Sequence, residues 1–381
     1  MPRSFTQSFS REASEVAPLT GGSAESPEVD FQKLMRKRFV SLSLLVVVLV
    51  VSAFVSVLIG TLGPLGPGKP EYISFGDALG AIFQGHGHWP DYYVDVFWQV
   101  RIPRVVLAAL VGAALACAGT AMQAVFRNPM ADPYIVGVSS GASLGAVIAG
   151  LTGLAGIALL GWLILPAFAF VTALLTVFAV YFLGSVGGKV NVNTLLLSGI
   201  AVAAFIGAVV STMIYFAGQD YHRIIFWLLG SLSMVSWTAV MIVFFAVVVG
   251  TIVVYVFSRD LNALLLGEEV AHNLGVDPES LKTTMLIVAA VMTSAAVAFT
   301  GVIGFVGLII PHMVRLVVGA DHRTLVPAAT LSGAIFLIWT DALSRTVIAP
   351  SELPVGIITA LCGGPFFLYL LRKYGMAGEH S

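Results

Sequence analysis

The sequence predicts an all-α integral membrane protein of about ten transmembrane helices. Of its 381 residues 58% are hydrophobic and only 10% charged, whereas soluble domains carry about 25% charged residues. Apolar runs recur at the roughly 20-residue length that crosses a bilayer. Polar clusters rich in proline, glycine and basic residues separate them. The runs are 40–62, 104–126, 133–151, 158–183, 193–216, 237–257, 283–300, 304–319, 325–346 and 354–371. Ile224 to Met234 is too short to span and is expected as a small helix at the outer surface.

Ahead of the first run, residues 1–38 are rich in Ser, Glu, Pro and Gly and lack the apolar content to pack. They are expected to form a disordered cytoplasmic extension without a cleavable signal, leaving 39–381 as the polytopic domain. With the N-terminus inside, fourteen of the 19 Lys and Arg lie on the inner side. Only Lys69, Arg101, Arg104, Arg223 and Arg345 lie outside. Basic residues concentrate on the cytoplasmic face of membrane proteins, so both termini are expected there, in a multi-pass protein of the cell membrane. A net charge of -1 offers no basic face for nucleic acid. Cys117 and Cys362 fall inside apolar runs and read as small packing residues.

The long first loop, 63–100, holds Tyr72, Trp89, Tyr92, Tyr93 and Trp98, aromatics of the kind that sit at the membrane interface. His86 and His88 lack a third ligand, so no metal site is assigned. Between the second and third runs stands a polar turn, Arg127-Asn128-Pro129-Met130-Ala131-Asp132-Pro133. Asp132 is suited to N-cap the next helix, and Pro133, which has no N–H to lose, to begin it. This is a structural hinge between helices. In the third run Gly137, Gly141 and Gly145 recur every four residues, a stripe for close helix packing. Gly301, Gly304 and Gly307 favour a tightly turned or flexible outer connection and are gate candidates. The stretches 119–129 and 301–312 each run from apolar residues to a proline and polar residues, a weak internal repeat of the kind transporters carry.

The one sizeable inner insert, Ser258 to Lys282, reads as two short helices joined at Gly267, followed by a second cap-and-proline start at Asp277-Pro278. Its exposed leucines suit docking into a partner. Gly184 to Val190 approaches a phosphate-binding loop but has three residues between its glycines instead of four, and Val190 where Ser or Thr must reach magnesium. Any ATPase is therefore a separate chain, and no catalytic residue is assigned.

From about Phe39 onward the chain resembles the permeases of type II ABC importers, the FecCD-like family that takes up iron-siderophores, haem and cobalamin. The resemblance rests on Arg101-Ile102-Pro103-Arg104, Gly112 through Gln123, the 127–133 turn and Gly137-Val138-Ser139-Ser140-Gly141-Ala142. It continues in Gly304 through Arg315, Asp321-His322-Arg323 and Glu352-Leu353-Pro354-Val355-Gly356. It implies a type II permease fold, a homodimer with the pathway at its interface, two ATPase subunits inside and a substrate-binding protein outside. It also implies that residues 259–281 couple to the ATPase, through Leu264, Leu265, Gly267, Glu268, Glu269, His272, Leu274 and Gly275. Arg101, Arg104 and Arg345 are implied to dock the binding protein, a task suited to bidentate guanidinium pairing.

The expected function is thus an ABC permease subunit importing a metal chelate, a ferric siderophore or haem, with no cofactor of its own. Cobalamin is the alternative cargo. An ion-coupled transporter is the rival mechanism, and such proteins carry intramembrane ionisable groups. The clearest spanning acid, Asp341, lies four residues from Arg345 and so on the same helix face, as a local pair.

Overall fold

The computed structural model describes residues 27–59, 61–64, 70–72, 75–84, 91–152, 161–187, 189–218, 221–233, 235–349 and 351–378. The chain divides into a short unit, Met1–Ser41, and a large one, Leu42–Ser381. Among the described residues seven helices are long and apolar enough to cross a membrane. Three shorter apolar helices bring the set to the ten expected.

The first helix, α1 (Pro27–Leu58), begins well ahead of the expected start at 40, so residues 27–38 are helical rather than without structure. A short pair of strands, β1 (Thr61–Pro64) and β2 (Pro70–Tyr72), and the helices α2 (Phe75–Gln84) and α3 (Asp91–Asp95) follow. A π-helical turn, Val96–Arg101, then leads into α4 (Ile102–Val125). Next come α5 (Val138–Leu151), α6 (Gly161–Gly184), the two-residue strands β3 (Ser185–Val186) and β4 (Lys189–Val190), and α7 (Val192–Tyr215). The chain continues through α8 (Tyr221–Leu228), α9 (Trp237–Val256), α10 (Ser258–Leu265), α11 (Glu268–Asn273) and α12 (Pro278–Thr300). It closes with α13 (Val306–Val318), α14 (His322–Thr346) and α15 (Val355–Gly378).

The large unit is built around α4, with α9, α12, α13 and α14 packed on it. Alanine and glycine make that possible. Gly112 meets the backbone of Gly333 in α14, and Gly119 meets Gly307 in α13. A Cβ at any of these positions would strike the opposing main chain, so the axes approach more closely than larger residues permit. The stripe on α5 packs as predicted: Gly141 and Gly145 lie against Thr172 and Thr176 of α6. Those threonines turn their hydroxyls back onto their own helix, to Phe168 O at 2.7 Å and Thr172 O at 2.8 Å. Their polar atoms are thereby satisfied without a partner across the interface.

The third helix starts later than Pro133. The chain first makes one 3-10 turn, Pro133–Val136, and Gly137 turns it into α5 at a φ of 87°. The proposed internal repeat does not hold either. In its second copy Pro311 and His312 lie inside α13 instead of closing a helix. The Gly301–Phe305 connection is tightly held: Tyr134 Oη donates to Ile303 O at 3.0 Å, and Ser231 N to Thr300 O at 2.7 Å. Gly301 lies against the Trp227 carbonyl and Gly307 against Pro133 and Leu115. Of the three gate candidates, only Gly304 has open space beside it.

Candidate functional site

Polar side chains gather at the two ends of the α4 bundle, one marked by Lys282 and the other by Arg104. At the Lys282 end the 258–282 insert folds as the two short helices expected. Leu261 and Leu264, three residues apart on α10, are buried in the core. Asn262 ties the same helix to α14, its Nδ2 donating to Asp321 Oδ1 at 2.8 Å and its Oδ1 accepting from His322 N at 2.9 Å. Gly267, at a φ of 116°, makes the break before α11, and Gly275, at 85°, ends it; side chains strongly disfavour such angles. Asp277 then caps α12, accepting from Glu279 N at 3.1 Å, with Pro278 as the first helical residue.

The insert therefore has one anchored face and one bare face. Leu264, expected as a partner contact, is turned inward, because its spacing from Leu261 places both on the bundle side. Leu265, Gly267 and Glu268 are half-buried, while Glu269, His272, Leu274 and Gly275 are exposed. Leu266, Val270 and Leu274 present apolar surface, with Leu266 68% and Leu274 64% exposed.

Beneath this segment Lys282 is almost fully buried. Its ammonium donates to Glu279 Oε1 at 2.7 Å, Glu268 Oε2 at 3.1 Å and Val190 O at 3.3 Å. The other oxygen of Glu279 accepts from Val190 N at 2.7 Å. Arg127 stands 3.9 Å from Glu268, at the rim of an open recess of about 930 Å³ whose lining includes Lys189, Asn191 and Leu265. The near-phosphate-loop stretch is the β3–β4 turn between α6 and α7. Asn191 caps α7, accepting from Asn193 N and Thr194 N, so those two amides at the start of α7 are already taken.

The 127–133 turn lies beside this cluster and is held as a hinge by its own side chains. Arg127 adopts a φ of 46° just after α4. Asn128 Oδ1 accepts from Met130 N at 2.9 Å, and Pro129 fills the bend between them. Asp132 Oδ1 accepts from Tyr134 N at 2.8 Å with Pro133 first in the turn, the predicted cap. Burial pushes the Asp132 carboxyl up to about 6 against the pull of that amide.

At the Arg104 end the three predicted arginines come together, but their guanidiniums point inward. Arg104 binds Asp341 at 2.8 Å and Glu352 at 2.9 Å, and Arg345 binds the other oxygen of Asp341 at 3.0 Å. Arg345 also donates to Ile59 O at 2.7 Å and to Ser56 O and Oγ. Arg101 donates to Val57 O at 3.1 Å and lies over the Phe97 ring, 4.9 Å from its centre. Glu352 is the exposed member, its side chain 37% accessible, and it also accepts from Ser233 Oγ at 2.9 Å. Burial raises the Glu352 carboxyl, but the hydrogen bond and charge of Arg104, helped by Ser233 and Arg345, hold it below the ordinary range.

The i,i+4 pairing of Asp341 with Arg345 was readable in the sequence. Its sharing with Arg104, 237 residues away, was not, since no periodicity marks a tertiary partner. Lys282 was overlooked as a site although Glu279-x-x-Lys282 places acid and base on one helix face. His86 and His88 lie outside the described residues.

Comparison with known proteins agrees with this architecture. The FecCD transport family matches residues 48–373. A cobalamin import system permease protein of Halobacterium salinarum is 50% identical over 273 residues, covering 72% of each chain. A hemin transport system permease protein of Yersinia pestis is 42% identical over 286 residues, covering 73% of this chain and 85% of its own. A solved inward-facing metal-chelate type ABC transporter superposes with a TM-score of 0.70 at 32% identity, over 87% of this chain and 98% of the other. The chain belongs to the FecCD transport family: it is a multi-pass membrane permease subunit of an ABC importer, serving a separate ATPase and a substrate-binding protein.

Proposed function

We propose that the chain works as a homodimer with the pathway at its interface, two ATPase subunits below and a binding protein above. Both termini and the Lys282 end face the cytoplasm. Its cargo is a metal chelate, a ferric siderophore or haem; the hemin permease at 42% identity supports that class. Cobalamin is the second reading, favoured by the relative at 50% identity.

One observation carries the coupling role. Leu266, Val270 and Leu274 are bare on a helix pair fixed from beneath by Leu261 and Leu264, and apolar surface on an anchored, exposed element marks a docking site. Residues 259–281 seat in the ATPase through this face, with Glu269 and His272 at its edge. At the opposite end the arginines serve docking by exchange. A carboxylate of the binding protein replaces Glu352 on Arg104, while Arg101 and Arg345 hold the site in place. Gly304 is the hinge of the connection between α12 and α13.

Uptake into proteoliposomes containing the permease, its ATPase and its binding protein tests this reading, with ion gradients collapsed and haem, a ferric siderophore or cobalamin offered in turn. ATP-dependent uptake of one of the three is expected. Uptake that persists without ATP and stops when the gradient is removed would overturn it in favour of an ion-coupled carrier.

A further inference from the structure

The coupling segment has to pass its movement into the membrane helices, and its backbone connections alone are poorly suited to that. Gly267 and Gly275, both at positive φ, interrupt the path from α10 through α11 to α12. A second connection runs through side chains. The Lys282 ammonium holds Glu268 at the start of α11, Glu279 in the first turn of α12 and the carbonyl of Val190 in the β3–β4 turn. Glu279 closes the ring on the Val190 amide. Three pieces separated in sequence thus meet on one nitrogen, carried by a side chain that is 2% exposed.

We propose that Lys282 is the positioning residue that makes α11, the start of α12 and the β3–β4 turn move as one body, delivering ATPase-driven motion to α6, α7 and α12. The proposal rests on the reading that residues 259–281 seat on the ATPase. The chemistry suits a transmission joint. A lysine ammonium has three donors and no acceptor, and here each donor reaches a different element. The two carboxylates are 39% and 29% exposed, so water can solvate them when the amine is removed, and a variant has reason to fold. Charged hydrogen bonds also resist sliding in a way that apolar contact does not, because they are strong and directional.

The test places spin labels at the exposed positions 189 and 273 in the permease–ATPase complex and measures their separation with and without ATP. Wild type is expected to show one narrow distance in both states. Lys282→Met should give a broad or ATP-dependent distribution while the ATPase still co-purifies, and Lys282→Arg should restore the narrow one. The same Met variant should import about tenfold less per ATP hydrolysed, the size of a typical coupling between sites. This is read with whichever of haem, ferric siderophore or cobalamin the wild type imports. A narrow, ATP-independent distance in Lys282→Met overturns the proposal. If that variant does not fold, Glu268→Gln cuts one arm of the clamp, with the same expectation and the same overturning result. Failure of the docking reading is seen separately, as ATPase binding that survives Leu274→Glu.

Discussion

The two ends of the bundle carry mirror-image ion clusters. At the Arg104 end one buried acid, Asp341, sits between two largely buried bases, Arg104 and Arg345. At the Lys282 end one buried base sits between two acids that water reaches. Within the first cluster Asp341, Arg104 and Arg345 have little alternative to one another, since charges sealed away from water lose hydration they cannot regain, and only the exposed Glu352 is exchangeable. In the second, water can take over the acids when the amine is removed. How well each end tolerates the loss of its central residue follows from which member of the cluster is dry.

The sharpest way to break this comparison is Asp341→Ala. It strands two buried guanidiniums, and removing one partner of a buried pair costs about 3–5 kcal/mol. Thermal unfolding in detergent should therefore find little or no folded protein. Lys282→Met should cost far less, about 1–2 kcal/mol, the range for losing hydrogen bonds whose partners can be re-solvated. Equal losses for the two variants would remove the distinction between the ends.

Acid sharpens it further. The folded-state carboxyl of Glu352 lies below its ordinary value of 4.5, so its pairing with Arg104 is fully present above that value and is lost as pH falls below it. The group is over a third exposed, so the loss should stay under about 1 kcal/mol. It should vanish in Glu352→Gln, as a melting-temperature titration checks. That variant should also bind the substrate-binding protein more tightly, because it removes the charged competitor for Arg104; unchanged affinity would sink docking by exchange. Leu274→Glu should move stability least, within about 0.5 kcal/mol as for most exposed positions, yet abolish co-purification of the ATPase.

The helices, the glycine stripe of α5 and the break at Gly267 were legible because each is a local pattern: a run of apolar residues, a four-residue spacing, a glycine between leucines. So were the caps at Asp132 and Asp277. Leu264 was misjudged because amphipathicity shows that a helix has two faces without showing which is covered. The early start of α1 was missed because composition alone describes the residues before 39 poorly. The long-range members of both ion clusters escaped for one reason: Val190 and Glu268 reach Lys282, and Glu352 and Asp341 reach Arg104, only once the chain has folded.

The separation of Arg104 from Asp341 has a consequence for biosynthesis. Arg104 leaves the ribosome 237 residues before its partner, and at about 5–20 residues per second that is roughly 10–50 s. During this interval Arg104 at the start of α4 waits without its acid partner, held near the headgroups by its long side chain. The helix can settle into its final position only after α14 arrives. Assembly of this permease is thus timed by translation of α14, and a ribosome paused before residue 341 holds a nascent chain whose central helix lacks the acid that Arg104 pairs with.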